Sequence, residues 1–386
     1  MNIHLPGQVE RARRLRSLLD RLMQDGSVCV VHGGDPETPG TVLHETFNPR
    51  GIKTYRAVAE DIAQSLRRSG FRKVHVIADG LRLAAEIAAI GPEIVWVNSG
   101  GVQGFDAASH TPAMLELMGL PYVGHDPLNV SLLDNKHVFK HLMRSLGVPT
   151  SPFVTWDGVA PLDADRLRAT LGEAGAYVAK PVSGRASNHV MVADCLDEVA
   201  DAMRHIRDVT QSHVLAERYL PGAEYTIAVY GGVCVRNGRV TISDGPTIFS
   251  PVERLLDAGE RVFTSMDVKP ITQARLRLLA SDDPVRGDLA GLARAVYEGL
   301  NLGTLVRLDV RADADGTCCV LEANPKPDLK AAGQGAINIV SLGLPEIGMS
   351  YDDLILSVFS DTLLQYATCR RKFAPGLSRF MEDSLT

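Results

Sequence analysis

The sequence lacks several of the patterns that mark common protein classes. Its six cysteines are scattered over 386 residues without a CxxC pair, which predicts neither a disulfide framework nor a zinc site. No apolar run is long enough to span a bilayer, and residues 1–20 lack the apolar core of a signal peptide. Basic clusters are missing and the net charge is -6, which argues against a nucleic acid partner. We therefore expect a cytoplasmic protein of two or three domains that makes no membrane contact.

The familiar nucleotide and nucleophile motifs are also absent. The chain has no GxGxxG fingerprint, no phosphate loop ending in GK[ST] and no GxSxG element. Its first part instead alternates strands, at 27–34, 73–80 and 93–101, with helices at 55–69 and 81–90. Such alternation predicts an open α/β sheet with a ligand at the carboxyl ends of the strands.

The pattern changes after residue 130. A helix over 131–146, strands at 153–155, 176–184 and 189–194 and a helix over 196–207 predict a small α+β unit. Longer strands follow from residue 213, among them one over 233–242. The charged loop over 247–264 fits either a mobile lid or a solvated insertion. An amphipathic helix is predicted for 352–373.

The residues with the most chemistry lie in the segment 304–330. Strand alternation places Arg307 and Asp309 on one face, and Asp315-Gly316 predicts a two-residue hairpin turn. The returning strand is predicted to add three residues to that face: Val320, Glu322 and Asn324. Carboxylate and amide oxygens suit Mg²⁺. Taken alone, the hairpin is equally consistent with a solvated sheet face that carries ion pairs.

Lysines suggest a second chemical element. Lys180 ends a strand and precedes a small polar loop, an arrangement that suits a phosphate grip because loop amides add donors to a mobile point charge. Lys136 and Lys140 lie one helical turn apart and could reach a common anion, although such spacing more often forms a basic surface stripe.

A possible base-binding turn lies between two carboxylates, Glu217 and Glu224. The turn offers backbone groups for the edge of a base and an apolar wall from Tyr219 and Leu220. Glu224 could bind ribose hydroxyls, but a glutamate at the start of a strand is more often a surface charge.

Taken in order, five segments resemble motifs of the ATP-grasp superfamily, and within it those of the D-alanine-D-alanine ligases. They are LELMGLPYVG, DNKHVFKHLMRSLGVPTSPFV, AYVAKPVSGRASN, VLAERYLPGAEYTIAV, and LVRLDV paired with VLEANPKP. The similarity extends from about Glu93 to Ser360, and five motifs in the right order are far more specific than any one of them.

The resemblance implies a fold, a reaction and a set of functional residues. An N-terminal open α/β domain (1–130) would precede a central ATP-grasp subdomain (131–214) and a C-terminal one (215–386) that holds the metal and oxyanion site. In the implied reaction a carboxylate takes the γ-phosphate of ATP to give an acyl phosphate, and an amine then displaces phosphate. The residues assigned to ATP are Lys136, Lys180, Ser187, Glu217, Arg218 and Leu220 through their backbones, Glu224 and, from the predicted lid, Arg254.

The remaining roles follow from the same resemblance. Asp309, Glu322 and Asn324 would hold two Mg²⁺ ions, with Mn²⁺ as the alternative metal. Lys180 and Arg307 would be catalytic, and Arg307 would stabilise the oxyanion of the tetrahedral intermediate. Small-molecule carboxylate and amine substrates and a homodimer are also implied.

The substrate-facing segments depart from the family pattern. NSGGVQGFDAASH stands where the family has HGxxGEDG, LEANPKPDLK where it has LEANTxPGMT, and Gly184-Arg185-Ala186-Ser187 where it has EGSS. A longer segment, ETFNPRGIKTYR, also replaces a family motif near the N-terminus. We therefore expect substrates other than two D-alanines, contacted by Asn98, Ser99, Lys326 and Lys330.

Two alternatives stay open. One is a D-alanine-D-alanine ligase with divergent loops. The other is a nucleotide-binding protein without catalysis, against which the retention of Arg307 argues, because binding ATP requires no oxyanion stabiliser.

Overall fold

The computed structural model describes residues 6–34, 55–184, 187–263, 271–331, 337–370 and 374–380. In these ranges the helices are α1 (Pro6–Asp25), α2 (Arg56–Arg68), α3 (Leu83–Ile90), α4 (His110–Met118), α5 (Pro127–Asp134), α6 (Lys136–Ser145), α7 (Ala164–Leu171), α8 (Leu196–Thr210), α9 (Val285–Gly299) and α10 (Tyr351–Thr368). The strands are β1 (Ser27–His32), β2 (Lys73–Ala78), β3 (Ile94–Asn98), β4 (Tyr122–Val123), β5 (Phe153–Trp156), β6 (Tyr177–Pro181), β7 (Met191–Ala193), β8 (Val214–Arg218), β9 (Glu224–Tyr230), β10 (Val233–Arg236), β11 (Arg239–Ile242), β12 (Thr247–Ile248), β13 (Val252–Arg254), β14 (Leu276–Leu278), β15 (Val306–Ala312) and β16 (Cys318–Asn324).

The N-terminal sheet has four parallel strands in the order β2-β1-β3-β4. Its inner strand β1 is buried along its whole length, as a parallel strand covered on both faces requires. Leu18 of α1 and Ile62 of α2 belong to the core on one face, and Ile87 of α3 and Leu115 of α4 to the core on the other. The predicted open α/β sheet is confirmed.

The central sheet is antiparallel, in the order β5-β8-β6-β7, and α7 and α8 cover it. The single helix predicted over 131–146 is wrong, because the chain forms two helices that meet at Asn135. The backbone of Asn135 is extended, and its side chain accepts a hydrogen bond from the Val138 N–H at the start of α6. An asparagine that caps a new helix in this way ends the preceding one.

The C-terminal sheet runs β14-β13-β9-β15-β16, and β12 also pairs with β9. Leu308 and Val310 of β15 pack with Leu289 and Val296 of α9 on one face, which leaves the other face for polar side chains. The loop predicted over 247–264 is wrong in its first part, since β12 and β13 are strands of this sheet and Arg254 is buried. Residues 264–270 lie outside the described part.

The strand predicted over 233–242 is also wrong. It is a separate hairpin, β10 and β11, which turns at Asn237 and Gly238 with φ values of 49° and 75°. Two successive positive φ values match the twist of a tight hairpin.

The β15–β16 hairpin contains a bulge that the sequence pattern does not show. Asp309 pairs with Glu322, but Val310 pairs with Val320, so Leu321 is an additional residue in β16. A bulge shifts the alternation by one residue. Val320 therefore lies in the apolar core and does not share a face with Glu322, contrary to prediction, and Leu321 faces the opposite side.

The predicted hairpin turn is wrong in length. The Asp313 N–H donates to the Thr317 carbonyl oxygen, and this bond closes a turn of three residues, 314–316. The last of them is Gly316, with φ of 86°.

Helix α10 is buried on nearly every side rather than amphipathic. Only four of its residues are not buried, and it packs between the β10–β11 hairpin, α2 and β4. Ser357 Oγ accepts a hydrogen bond from the Val235 N–H, and Asp361 Oδ1 accepts one from the Val233 N–H. Because its neighbours come from both ends of the chain, α10 joins the first and last predicted domains in one apolar cluster.

All six cysteines are free. Across the described ranges, no helix combines the length and the apolar character needed to cross a bilayer.

Candidate active site

Two adjoining cavities lie between the central and C-terminal sheets. The first is lined by residues of β6, β8 and β15, including Lys180, Glu217 and Arg311. The second is lined by Tyr55, Arg307, Asn324 and the segment that follows β16. Seven residues line both cavities: Lys136, Gly184, Ser187, Arg254, Phe263, Asp309 and Glu322. Molecules bound in the two cavities would therefore contact the same seven residues.

Glu217 lies between two lysines at the back of the first cavity. Lys140 Nζ is 2.8 Å from its Oε2, Lys180 Nζ is 2.5 Å from its Oε1, and all three side chains are buried. Burial alone would raise the pKa of Glu217, but the two ammonium groups hold that pKa at about 2. Two cations around one anion leave a net positive charge beside the cavity.

The two lysines respond differently to burial. For Lys180 burial opposes protonation, but the charge of Glu217 outweighs it and raises the pKa. For Lys140 burial prevails over the same carboxylate, so the pKa is lowered. The interpretation of Lys140 as part of a basic surface stripe is wrong, because its side chain is fully buried. Lys136 and Lys140 do not bind a common carboxylate, since Lys140 pairs with Glu217 and Lys136 pairs with Glu322.

Side chains of alternating charge continue from the first cavity to the second. They are, in order, Arg311, Glu224, Arg254, Asp309 and Arg307. The closest atoms of successive pairs are 3.2, 3.1, 3.0 and 2.9 Å apart.

Asp309 is the most constrained carboxylate of this series. Burial would raise its pKa, but Arg254 and Arg307 outweigh burial and lower it to about 2. Its carboxylate is therefore ionised in any ordinary buffer.

Glu322 and Asn324 complete the set of predicted metal ligands. Glu322 lies opposite Asp309 in the strand register, and its Oε2 is 3.2 Å from Lys136 Nζ. Asn324 Oδ1 accepts a hydrogen bond from the Lys326 N–H. No cluster of three or more His, Cys, Asp or Glu side chains suited to a metal forms among the described residues. Two carboxylates and an amide nevertheless fit Mg²⁺, which takes few protein ligands and fills its shell with phosphate and water.

The second cavity brings together residues from distant parts of the chain. Lys326 Nζ lies 3.6 Å from the centre of the Tyr55 ring, within cation–π range. Tyr55 precedes α2 with a left-handed φ of 51°, a conformation that costs energy in a non-glycine residue and often marks a functional site. Four branched aliphatic side chains line the same cavity: Ile271, Ile337, Ile339 and Val340.

Three predicted substrate residues do not line either cavity. Asn98 is buried, and its Nδ2 donates to the Tyr55 carbonyl oxygen, so it supports a cavity residue from behind. Ser99 is buried and donates to Asp79 Oδ2 at 2.5 Å. Lys330 is absent from both linings, and among the predicted substrate residues only Lys326 faces the second cavity.

The other predicted nucleotide residues lie around the first cavity. Ser187 lines both cavities, and its Oγ donates to the Phe263 carbonyl oxygen. Leu220 is buried in the wall of the first cavity. The Arg218 N–H and carbonyl group are already bonded to Pro152 and Ser151, so the Arg218 backbone is less available than we predicted. Arg185 and Ala186 of the loop lie outside the described residues.

Three residues in or beside these cavities are not among the predicted site residues. Lys140 lies behind the first cavity against Glu217, and its spacing from Lys136 was a usable signal. Arg311 continues the alternation of Arg307 and Asp309, which was a usable signal for its face. Tyr55 lies in ETFNPRGIKTYR, whose departure from the family pattern was a signal although none of its residues was assigned, and residues 45–54 of that segment lie outside the described part.

Comparisons with known proteins agree with the motifs and the fold. A family model described as the C-terminus of D-ala D-ala ligase matches residues 142–360. A D-alanine-D-alanine ligase of Synechococcus sp. (strain JA-3-3Ab) is 30% identical over 306 residues, which cover 78% of this chain and 84% of the relative. One of Bordetella petrii is 29% identical over 310 residues, which cover 78% of this chain and 85% of the relative.

Solved structures share the fold. The D-alanine-D-alanine ligase from Bacillus anthracis complexed with ATP superposes with a TM-score of 0.64 at 17% identity, covering 88% of this chain and 97% of its own. The VanG D-Ala:D-Ser ligase from Enterococcus faecalis gives a TM-score of 0.61 at 17% identity, covering 88% of this chain and all of its own.

The fold and the relatives together define the class of this protein, which is an ATP-grasp ligase. Within that class the match over more than half of the chain identifies a narrower group. The chain belongs to the D-alanine-D-alanine ligase family.

Proposed function

We propose that this ligase joins a small carboxylate to an amine through an acyl phosphate, and that its substrates are not two D-alanines. The observation that carries the proposal is the shared wall of the two cavities. Arg254, Asp309 and Glu322 border both cavities, so a phosphoryl group held in the first cavity would meet a carboxylate held in the second. Positioning and charge neutralisation are the main requirements of phosphoryl transfer.

The first cavity is proposed to hold ATP. Lys180 and Lys136 would bind the phosphates, assisted by Ser187 and Arg254. Glu217 would act chiefly by fixing Lys180, because both of its carboxylate oxygens lie against lysines.

The remainder of the nucleotide would lie along the turn between β8 and β9. Tyr219 and Leu220 offer apolar contact to adenine. Glu224 would accept hydrogen bonds from the ribose hydroxyls once its arginine partners make room.

Asp309, Glu322 and Asn324 would hold Mg²⁺. When bound, the metal would neutralise the negative charge of the transferred phosphoryl group. Arg307 holds Asp309 through Nε and Nη2, at 2.9 and 3.2 Å. Held in this way, its guanidinium faces the second cavity, where it would donate to the oxyanion that forms when the amine attacks.

The second cavity supports a substrate other than D-alanine. Asp328 lines it at the position where the family motif has glycine, Lys326 lines it at the position that the motif leaves open, and four branched aliphatic side chains line it as well. A D-alanine-D-alanine ligase remains the second candidate, because the matched relatives carry that name. The homodimer, the cytoplasmic location and the domain boundaries stay predictions from the sequence.

The test is ADP and phosphate release with ATP, Mg²⁺ and a panel of amino acids and other carboxylates, compared with D-alanine alone. We expect a pair other than two D-alanines to give the highest kcat/KM. D-alanyl-D-alanine formed at the highest rate would support the second candidate. ADP binding without turnover of any pair would refute the ligase assignment.

Arg307→Lys tests the proposed oxyanion role in the same assay. We expect kcat to fall by about 10²-fold, the loss typical of one oxyanion donor. The affinity for ADP should change little, because Arg307 does not line the first cavity. Arg311→Lys is the matched control, and it should instead raise the KM for ATP.

A further inference from the structure

Each carboxylate proposed to bind metal is bonded to a cation proposed to bind phosphate. Glu322 Oε2 is 3.2 Å from Lys136 Nζ, and Asp309 Oδ1 is 3.0 Å from Arg254 Nη2. Both cations and both carboxylates line the shared wall of the two cavities. These two ion pairs therefore lie where nucleotide phosphates and metal ions would meet.

A carboxylate cannot serve the cation and a magnesium ion equally well. Magnesium requires near-ideal octahedral geometry with oxygens at about 2.0–2.1 Å. If a lysine or arginine stayed on the same oxygen, its positive charge would lie a few ångströms from the positive metal ion. In a site of low dielectric the two cations would repel each other strongly. Lys136 and Arg254, the two cations that also border the proposed phosphate site, must therefore move before the metal binds tightly. Arg307 stays on Asp309, so its repulsion of the metal is the same with and without nucleotide.

In the nucleotide-free protein the two cations also balance the negative charge of the buried carboxylates. The Asp309 side chain is 9% exposed, and a buried carboxylate without a partner is strongly destabilising. Arg307 remains bonded to Asp309 through two nitrogens, so Asp309 keeps one partner when Arg254 leaves. Glu322 is 35% exposed, and water can replace Lys136 there.

We infer that Lys136 and Arg254 are exchange cations. In the nucleotide-free protein they neutralise Glu322 and Asp309, and bound phosphates draw them away and free the carboxylates for metal. The inference rests on the proposed function and adds an order to it, in which the protein binds divalent metal weakly until nucleotide is present. Lys136 and Arg254 thus act as positioning residues for the metal ligands as well as phosphate contacts.

The test is the binding of Mn²⁺ to the nucleotide-free protein, measured from the electron paramagnetic resonance signal of the free ion. We expect Lys136→Met and Arg254→Met to bind Mn²⁺ about tenfold more tightly than the unaltered protein, within the range typical of coupled sites. Lys326→Met is the matched control. It removes one positive charge from the same second cavity, but Lys326 lies on the Tyr55 ring, so it should change the affinity much less.

Mn²⁺ affinities of Lys136→Met and Arg254→Met no higher than that of Lys326→Met would overturn the inference. Arg254 is bonded to two buried carboxylates, so circular dichroism must first show that Arg254→Met folds. If Arg254→Met does not fold, Lys136→Met alone decides the result. Titration of ADP in the presence of Mg²⁺ tests the proposed function separately. No binding of ADP would refute that function, whereas ADP binding with unchanged Mn²⁺ affinities would refute only the exchange.

Discussion

Replacement of Glu217 by glutamine would leave Lys140 and Lys180 without the carboxylate that they share. Glutamine keeps the length and shape of the side chain, so the change is mainly one of charge. Both lysines are buried. Lys180 borders the first cavity, but the Lys140 ammonium group could not reach water without movement of its helix. The folded state would then contain two uncompensated cations in close proximity.

The loss of stability caused by Glu217→Gln can be calculated from the structure in two ways. The pKa of Glu217 falls from 4.5 to about 2 on folding, and at about 1.4 kcal/mol per unit this corresponds to about 3 kcal/mol. Removal of one partner from a buried ion pair costs about 3–5 kcal/mol. The two routes agree, and we expect Glu217→Gln to lower the free energy of unfolding by about 3 kcal/mol at neutral pH.

The pH dependence has a definite sign. In the unaltered protein the contribution of Glu217 is present above pH 4.5 and is lost as the pH falls toward 2. Burial already lowers the pKa of Lys140, and the variant lacks the carboxylate that opposes this effect, so the pKa of Lys140 falls further. The stability of the variant should therefore rise toward alkaline pH, where folded Lys140 loses its proton before the unfolded chain does.

The assay is urea denaturation followed by circular dichroism and by tryptophan fluorescence. Trp156 lies on β5, which pairs with the strand that carries Glu217, so it reports on this subdomain. Glu298→Gln is the control, because its exposed pair with Arg294 should contribute little. If Glu217→Gln unfolds within about 1 kcal/mol of the unaltered protein at neutral pH, the buried-charge reasoning is wrong.

Two further predictions concern other parts of the molecule. Burial raises the pKa of Asp361 from 3.8 to about 6, so its contribution to stability is present below pH 3.8 and is lost as the pH rises through 6. Between pH 3.8 and 6 this loss lowers the free energy of unfolding by about 3 kcal/mol, and Asp361→Asn should abolish that decrease. An unchanged dependence on pH would contradict the raised pKa of Asp361. Tyr55→Leu removes the aromatic partner of Lys326 and should raise the KM of the amine substrate about twofold to fivefold. The KM of ATP is the internal control, and a change confined to that KM would contradict the placement of Tyr55 at the second cavity.

Much of the fold could be predicted because its signals are local. The alternation of apolar strands and helices predicted the N-terminal sheet, and the period of two in 306–312 predicted that Arg307 and Asp309 share a face. The order of the motifs predicted the family. Each of these features depends on neighbours within a few residues, which the sequence displays directly.

The predictions were wrong where one local sequence pattern is compatible with two different structures. The charged stretch at 247–254 reads as a loop, but its strands pair with β9 and bury Arg254. Helix α10 carries serines and aspartates that suggest a solvent-facing side, yet they bond to a hairpin formed more than 100 residues earlier. The bulge at Leu321 is likewise set by pairing with β15, and it cannot be read from β16 alone.

The sequence by itself determined which kinds of groups the protein brings to its chemistry: lysines on a helix and a strand, and carboxylates with an arginine on a hairpin. Only the tertiary structure decided which charge faces which. It placed Lys140 against Glu217, Lys136 against Glu322, and Tyr55 beside Lys326. The physical reason is that the strength of an ion pair depends on burial and distance. Both are set by elements that lie far apart in the chain and meet only when the sheets pack.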